Sequence, residues 1–362
     1  MRPKKTVFIV GAGASKEVGL PIAKELIEII AQKLGYQIER GSLIAGQGDD
    51  DILDAIQQIT PDRAGINQYL AAAHRIRDGI LFSNSIDTFL DAHIEDTKLQ
   101  QIGKLSIAKT ILEQERSSAL FIDRNASEFQ NIQRLKQSWF VRLVRGLTDG
   151  IRRDEIGRLF EKVSFIVFNY DRCLEHFLYH ALKRHYGIED DQTRSLLETA
   201  RIFHPYGAVA PLKWQEGSLG IPFGFAVNRQ NLLKTSQQIR TYTEQLADQK
   251  ILAEIKCEIA TADALVFLGF SYHDMNMKIL DPEQKTTVSN VFGTAMGISD
   301  SDIEIIKDGI RRMVRRDLTE HRVQNGADSI LERLNIRSDL SSSGLMDGYS
   351  RSLFTSGPRG PS

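Results

Sequence analysis

Residues 6–21, TVFIVGAGASKEVGLP, constrain the fold more than any other part of the chain. Thr6 to Val10 is a short β-branched and aromatic run, suited to one buried parallel strand, and Gly11 and Gly13 follow it with a tight turn. Pro21 stands at a natural first helical position. Ile22, Leu26, Ile29, Ile30 and Leu34 then mark one helical face, and Gly35 can end the helix. Strand, turn and helix in this order make the first half of a βαβ unit.

Later segments extend the pattern. VSFIVF (Val163 to Phe168) and ALVFLGF (Ala264 to Phe270) read as buried strands, ARIFHPYGAV as a short strand with its loop, and TVSNVFG (Thr287 to Gly293) as a last strand. In NYDRCLEHFLYHAL, Leu174, Phe177, Leu178, Ala181 and Leu182 trace a helix face. From about Gly41 to Glu161 helical periodicity dominates, which predicts a helical insertion or subdomain. SDIEIIKDGIRRMV predicts a further helix, with Ser301 and Glu304 at capping-box spacing and Arg311, Arg312, Arg315 and Arg316 on a solvated face. The Ser-, Gly- and Pro-rich end from Ser341 predicts a flexible tail over 341–362. The expected architecture is α/β: a Rossmann-like parallel sheet in a domain spanning 1–340, with the insertion at about 41–161.

Composition removes several functions. Lys and Arg total 46 against 47 Asp and Glu, so no global basic field exists for nucleic acid, and direct nucleic-acid binding is not expected. Two cysteines, Cys173 and Cys257, exclude a disulfide framework and a zinc site built on paired C-x-x-C motifs; both read as small buried apolar residues. No apolar run reaches the ~18 residues of a membrane span, and the basic start lacks a signal-peptide h-region. A cytoplasmic protein is the expectation.

In doubly wound sheets ligands bind beyond the carboxyl ends of the strands. Three polar loops follow apolar strands here, Gly11–Gly19, Asn169–Asp171 and Ser271–Asn276, and all three are expected at one edge. That convergence predicts a nucleotide pocket. The glycines alone say less: G-x-G-x-x-G needs glycine at position 16, which is Lys16, and no Walker A loop is present. A tight strand-to-helix turn without ligand is the lesser alternative for Gly11 and Gly13, and Ser15 serves as a cap or a phosphate contact.

Taken together, the loops resemble those of the sirtuins. The opening motif stands as Gly11, Ala12, Gly13, Ser15, Gly19, Leu20 and Pro21; an Asn-x-Asp motif as Asn169, Tyr170 and Asp171; a histidine step as His204 and Gly207; and a late Gly-x-Ser loop as Gly269 and Ser271. Protein-deacylating sirtuins carry a four-cysteine zinc module, which two cysteines cannot supply. With HPYG at 204–207 and SIDTFLDAH at 85–93, the chain is similar instead to bacterial sirtuin-like proteins of anti-phage defence that hydrolyse NAD+. The resemblance implies an NAD+ glycohydrolase releasing nicotinamide and ADP-ribose, an abortive-infection effector with NAD+ as substrate and no metal. It implies Asn169 and His204 as the essential pair, with Asp171 beside them. It implies nucleotide contacts from Gly11, Ala12, Gly13, Ala14, Ser15, Gly19, Pro21, Asn169, Tyr170, Asp171, Gly269, Ser271 and Asp274. A homo-oligomer is expected, gated by oligomerisation or by a separate partner such as a HerA-type ATPase or an Argonaute-like protein.

The residue types suit that chemistry. Cleavage of the nicotinamide–ribose bond passes through an oxocarbenium-like state with a neutral leaving group, so it needs orientation and charge stabilisation rather than a strong acid. Asn169 can hold a water or a ribose hydroxyl, and His204 can accept a proton near neutral pH. Asp171 either holds the carboxamide or caps the helix that begins near Arg172, and Asp274 is a contact or an N-cap. Asp87 lines the pocket or caps a helix, and His273 touches nucleotide or faces solvent. His176 and His180, at i and i+4, lack an evident third metal ligand and read as packing residues. The rival functions are an NAD-dependent deacylase or ADP-ribosyltransferase, a non-catalytic NAD or ADP-ribose sensor, and a structural subunit.

Overall fold

The computed structural model describes residues 5–39, 42–43, 47–123, 125–216, 220–226, 229–314 and 333–354. Six parallel strands form one sheet: β1 Thr6–Val10, β2 Val163–Val167, β3 Arg201–Phe203, β4 Ala264–Leu268, β5 Asn290–Thr294 and β6 Arg333–Arg337. Their spatial order is β3-β2-β1-β4-β5-β6. This is a Rossmann-like doubly wound sheet, and its direction of winding reverses between β1 and β4.

Every residue of β1, β2 and β4 is buried, because helices cover both faces. Successive side chains alternate between two cores. Val7, Ile9, Ile166, Leu265 and Phe267 join one. Phe8, Val10, Phe165, Val167, Val266 and Leu268 join the other. The first core is closed by α1 Ala23–Lys33, α2 Asp50–Ile59, α3 Arg63–Gly79, α4 Ile86–Asp91 and α5 Thr97–Ser117. The second is closed by α6 Trp139–Thr148, α7 Cys173–Tyr186 and a C-terminal helix described below. Two shorter helices matter later: α8 Asp274–Leu280 and α9 Asp300–Met313.

The stretch between α1 and β2 is mostly helical, and it divides between the two faces. Asp49, Asp62, Ser85 and Asp96 each accept a backbone N–H at the start of α2, α3, α4 and α5. Such caps are worth ~1 kcal/mol each. After α5 the chain crosses the glycine loop, where the Ala119 N–H donates to Val18 O at 2.9 Å. It then enters the opposite face as α6. A two-residue antiparallel ladder, Ile38–Glu39 with Ser42–Leu43, precedes α2.

Three local expectations change, and the solvated basic face of α9 holds as far as it is described. The sheet has a sixth strand, β6, beyond the last one predicted; it lies at the edge, half-buried, so its apolar signal is only Leu334 and Ile336. The capping residue of α9 is Ser299, which accepts from the Asp302 N–H at 3.2 Å, and Ser301 lies inside the helix. Arg311 pairs with Asp308 on the exposed side and Arg312 is exposed; Arg315 and Arg316 lie outside the described residues. Cys173 is buried as expected, whereas Cys257 is exposed, on the outer side of its helix.

The predicted flexible tail is the clearest difference. Residues Ser342–Phe354 form α10, and Leu345, Met346 and Leu353 are buried in the second core. Glu17, in the glycine loop, explains the docking: one carboxylate oxygen accepts the Trp139 N–H at 2.8 Å and the other the Ser343 N–H at 2.7 Å. One anion therefore satisfies the N-termini of α6 and α10 together. Arg142 adds an ion pair to Asp347 at 2.7 Å. Residues 355–362 lie outside the described part. Leu345→Ala is expected to destabilise the protein by ~2–5 kcal/mol in chemical denaturation, as for other buried leucines. An unchanged midpoint would mean that this helix is dispensable.

Candidate functional site

The carboxyl ends of β1 and β4 flank the point where the winding reverses, and two glycine loops meet there. Gly11 N–H donates to Leu268 O and Gly13 N–H to Gly269 O, both at 2.9 Å. A Cβ at Gly11 would lie 2.6 Å from Gly269 O, and one at Gly13 would lie 2.8 Å from Gly269 Cα. Gly269, with φ of +56°, would bring a Cβ within 1.9 Å of Ala14 N. These glycines are therefore required by the approach of loop to loop. The amides of Gly13 and Ala14 already have protein acceptors, Gly269 O and Gly11 O. The turn after Gly11 is a four-residue helix, Ala12–Ser15, and a 3₁₀ turn that Gly19 ends at φ +96°. Pro21 precedes Ile22, the N-cap of α1, so it stands two residues before the first helical position.

Asn169 leaves β2 beside this turn and is buried. Its Nδ2 donates to Gly11 O at 3.2 Å and to Ser15 Oγ at 3.0 Å. Both amide hydrogens are thus engaged, leaving the Oδ1 acceptor for anything outside the protein. Asp171 is buried near Ser15 and accepts the Cys173 N–H at 3.0 Å. Burial raises the Asp171 carboxyl above the usual carboxylate range, with hydrogen bonding opposing it. Of its two roles, the structure shows the one at the start of α7.

His204 is placed against the far side of Asn169. Its Nδ1 meets Asn169 O at 3.2 Å, and its Nε2 meets Glu175 Oε1 at 2.5 Å. Both neighbours are acceptors, so the ring holds a proton on each nitrogen and offers no lone pair in this arrangement. Burial pushes its pKa down, but the Glu175 charge and hydrogen bond outweigh that, and the value is raised. The same pairing holds Glu175 below its ordinary value against its own desolvation, and its Oε2 is buried without a hydrogen-bond partner. Sequence reading passed over Glu175. The available signal was an acidic residue between Leu174 and His176, inside the apolar face of a helix that follows Asn-x-Asp.

A polar cleft opens next to Asn169, lined by Gly11, Ala12, Ala23, Asp87, Ser271 and His273 among others. It encloses about 100 Å³, below the ~300–1,000 Å³ of whole-ligand pockets. One heterocyclic ring suits it. Asp87 is the unexpected member: Ser85, not Asp87, caps α4, and the Asp87 side chain accepts a hydrogen bond from Tyr170 Oη. Burial raises the Asp87 pKa, opposed by that bond and by His273. Tyr170 itself is buried, and its phenol is pushed well above its ordinary value by burial and by Asp87. Tyr206 donates to Asn276 Oδ1 at 2.8 Å along the same wall.

The structure thus brings Gly11, Ala12, Asn169 and Ser271 to the cleft. Tyr170 stands behind Asp87, and Ser15, Asp171 and His204 stand behind Asn169. Asp274 is exposed in the first turn of α8. His176, the first of the i, i+4 histidine pair, is buried, and its Nε2 bonds Leu120 O at 3.2 Å. No group of three metal-ligating side chains occurs among the described residues. No described helix is long and apolar enough to cross a membrane. In comparison with known proteins, no family and no curated protein matches this chain.

The ion pair sets a pH signature. His204 is raised above its ordinary 6.5, so its stabilisation is complete below pH 6.5 and is lost as pH climbs through the raised value. Glu175 is lowered below 4.5, so its share is complete above pH 4.5 and is lost as pH falls through the lowered value. Glu175→Gln should therefore cost about 1.5–3 kcal/mol between pH 4.5 and 6.5, and less as pH rises toward 9. A cost that does not vary with pH in urea titrations would show that the pair is not charged.

Proposed function

We propose that the chain hydrolyses NAD+ to nicotinamide and ADP-ribose at the cleft beside Asn169. The observation that carries this reading is the convergence of Asn169, Asp87 and the two glycine loops where the winding reverses, the place where such sheets bind nucleotides. The four ordered motifs resembling the sirtuins point the same way. The size of the cleft suits the nicotinamide end, and the N-terminus of α1 at Ala23, on its wall, offers amides to a phosphate.

The residues divide the work as follows. Asn169 presents Oδ1 to a ribose hydroxyl or to the attacking water, with its amide nitrogen locked on the loop. Asp87 places a carboxylate where positive charge develops on the ribose, and the buried Tyr170 hydroxyl fixes its direction. His204, held by Glu175, positions Asn169 through the backbone carbonyl. Water attacks the anomeric carbon as the bond to the neutral nicotinamide breaks, and the proton of the water leaves to solvent or to Asp87. Free turnover would exhaust the NAD+ of the host, so gating by a partner or by self-association belongs to the same proposal.

Nicotinamide release from NAD+ tests it, with the purified chain alone and in extract of phage-infected cells. Asn169→Ala should abolish release, and Asp87→Asn should lower kcat by about 10²–10³-fold with little change in KM. A dependence on acylated peptide would favour the deacylase. Tight NAD+ binding without turnover under every condition would replace the hydrolase with a sensor.

A further inference from the structure

The loop after β4 passes twice through left-handed backbone, at Gly269 with φ of +56° and at Tyr272 with φ of +56°. Glycine adopts that conformation freely, whereas Tyr272 is one of two non-glycine residues with a positive φ among those described. Such outliers persist only where the surroundings hold them, and they collect where ligands are clamped. Here the holding group is Thr294, the last residue of β5 and itself buried. Its Oγ1 accepts the Gly269 N–H at 2.8 Å, and its carbonyl accepts the Tyr272 hydroxyl at 3.1 Å. Both ends of the turn are thus tied to one residue of the neighbouring strand. The Tyr272 ring is buried against Phe267 and Phe270, with centroids 5.3 Å away in each case. Its hydroxyl has room because residue 293 is glycine: a Cβ there would lie 2.4 Å from Oη.

The consequence lies on either side of that ring. Ser271 and His273 are exposed and line the cleft, and Phe270 stands on its wall. We propose that Tyr272 and Thr294 are positioning residues for the nucleotide: they hold the Ser271 hydroxyl at the cleft, where it hydrogen-bonds the bound dinucleotide. Neither Tyr272 nor Thr294 lines the cleft, so both act through the turn. The buried ring and its bond to Thr294 maintain the left-handed backbone at 272. Ser271 is therefore in place before a ligand arrives, and binding does not have to order it. The inference rests on the nucleotide reading of the cleft, and it adds two supports to that site that make no contact with the ligand.

Calorimetric titration of the purified full chain with ADP-ribose, together with nicotinamide release from NAD+, provides the test. Tyr272→Phe keeps the ring and loses the bond to the Thr294 carbonyl, and Thr294→Val loses the acceptor for the Gly269 N–H at nearly constant shape. Each should weaken ADP-ribose binding about fivefold and raise KM for NAD+ by the same factor, with little change in kcat. Thr294→Ser, which keeps the hydroxyl, should retain the parent affinity. In a Ser271→Ala background Tyr272→Phe should have little further effect, because the group it positions is gone; a merely structural role would leave the two losses additive. Parent affinity in both Tyr272→Phe and Thr294→Val, or losses that add to that of Ser271→Ala, would overturn the inference and leave the nucleotide reading standing. A parent chain that binds neither ADP-ribose nor NAD+ would overturn the reading of the cleft, and the inference with it.

Discussion

Arg172 and Glu115 form an ion pair with almost no solvent contact, and the geometry around the site depends on it. Arg172 is 1% exposed and Glu115 0%. Two buried charges are tolerable only when their polar atoms are matched. Here Glu115 Oε1 accepts from the backbone N–H and Nε of Arg172, and Oε2 accepts from Nη2 and from the Gly224 N–H. The remaining guanidinium hydrogens reach carbonyls of the 210–222 segment, with Ile221 O at 2.7 Å. A single pair therefore ties the end of α5, the start of α7 and the loop after β3. Asn169 and Asp171 stand immediately before Arg172, so the anchoring of that arginine holds both in place.

The site is a set of nested supports around one exposed face. Gly11, Gly13 and Gly269 let two loops approach at backbone contact, Ser15 accepts from Asn169, and His204 on Glu175 closes the far side. Most of the polar residues are consumed by each other. What remains for a ligand is small: an amide oxygen, the Asp87 carboxylate and the hydroxyl, imidazole and backbone of the Ser271–His273 turn. Glu17 extends the same economy outward, since its loop position lets one carboxylate hold two helix N-termini.

Much of this was legible. Strands buried on both faces announce themselves by unbroken apolar runs, and β1, β2 and β4 do so. The polar loops after them had to share an edge once the sheet was parallel, which placed Asn169 and Ser271 together. β6 and α10 were not legible. β6 is half-buried at an edge, and the Ser- and Gly-rich start of α10 hides apolar residues whose partners on α6 lie two hundred residues earlier. The partners of His204 were not legible for a related reason. Protonation depends on what faces each nitrogen, and Glu175 is distant from it in sequence.

By itself the sequence determined the α/β class, the burial of the central strands and the loops that carry polar side chains, because periodicity and chain punctuation are local properties. Tertiary structure decided the strand order, the division of the helical segment between two faces, and which polar groups stay free to act. Those outcomes depend on pairings across more than one hundred residues, such as Asn169 with Gly11 and Ser343 with Glu17. No local pattern encodes them, since each is selected only when the whole core closes.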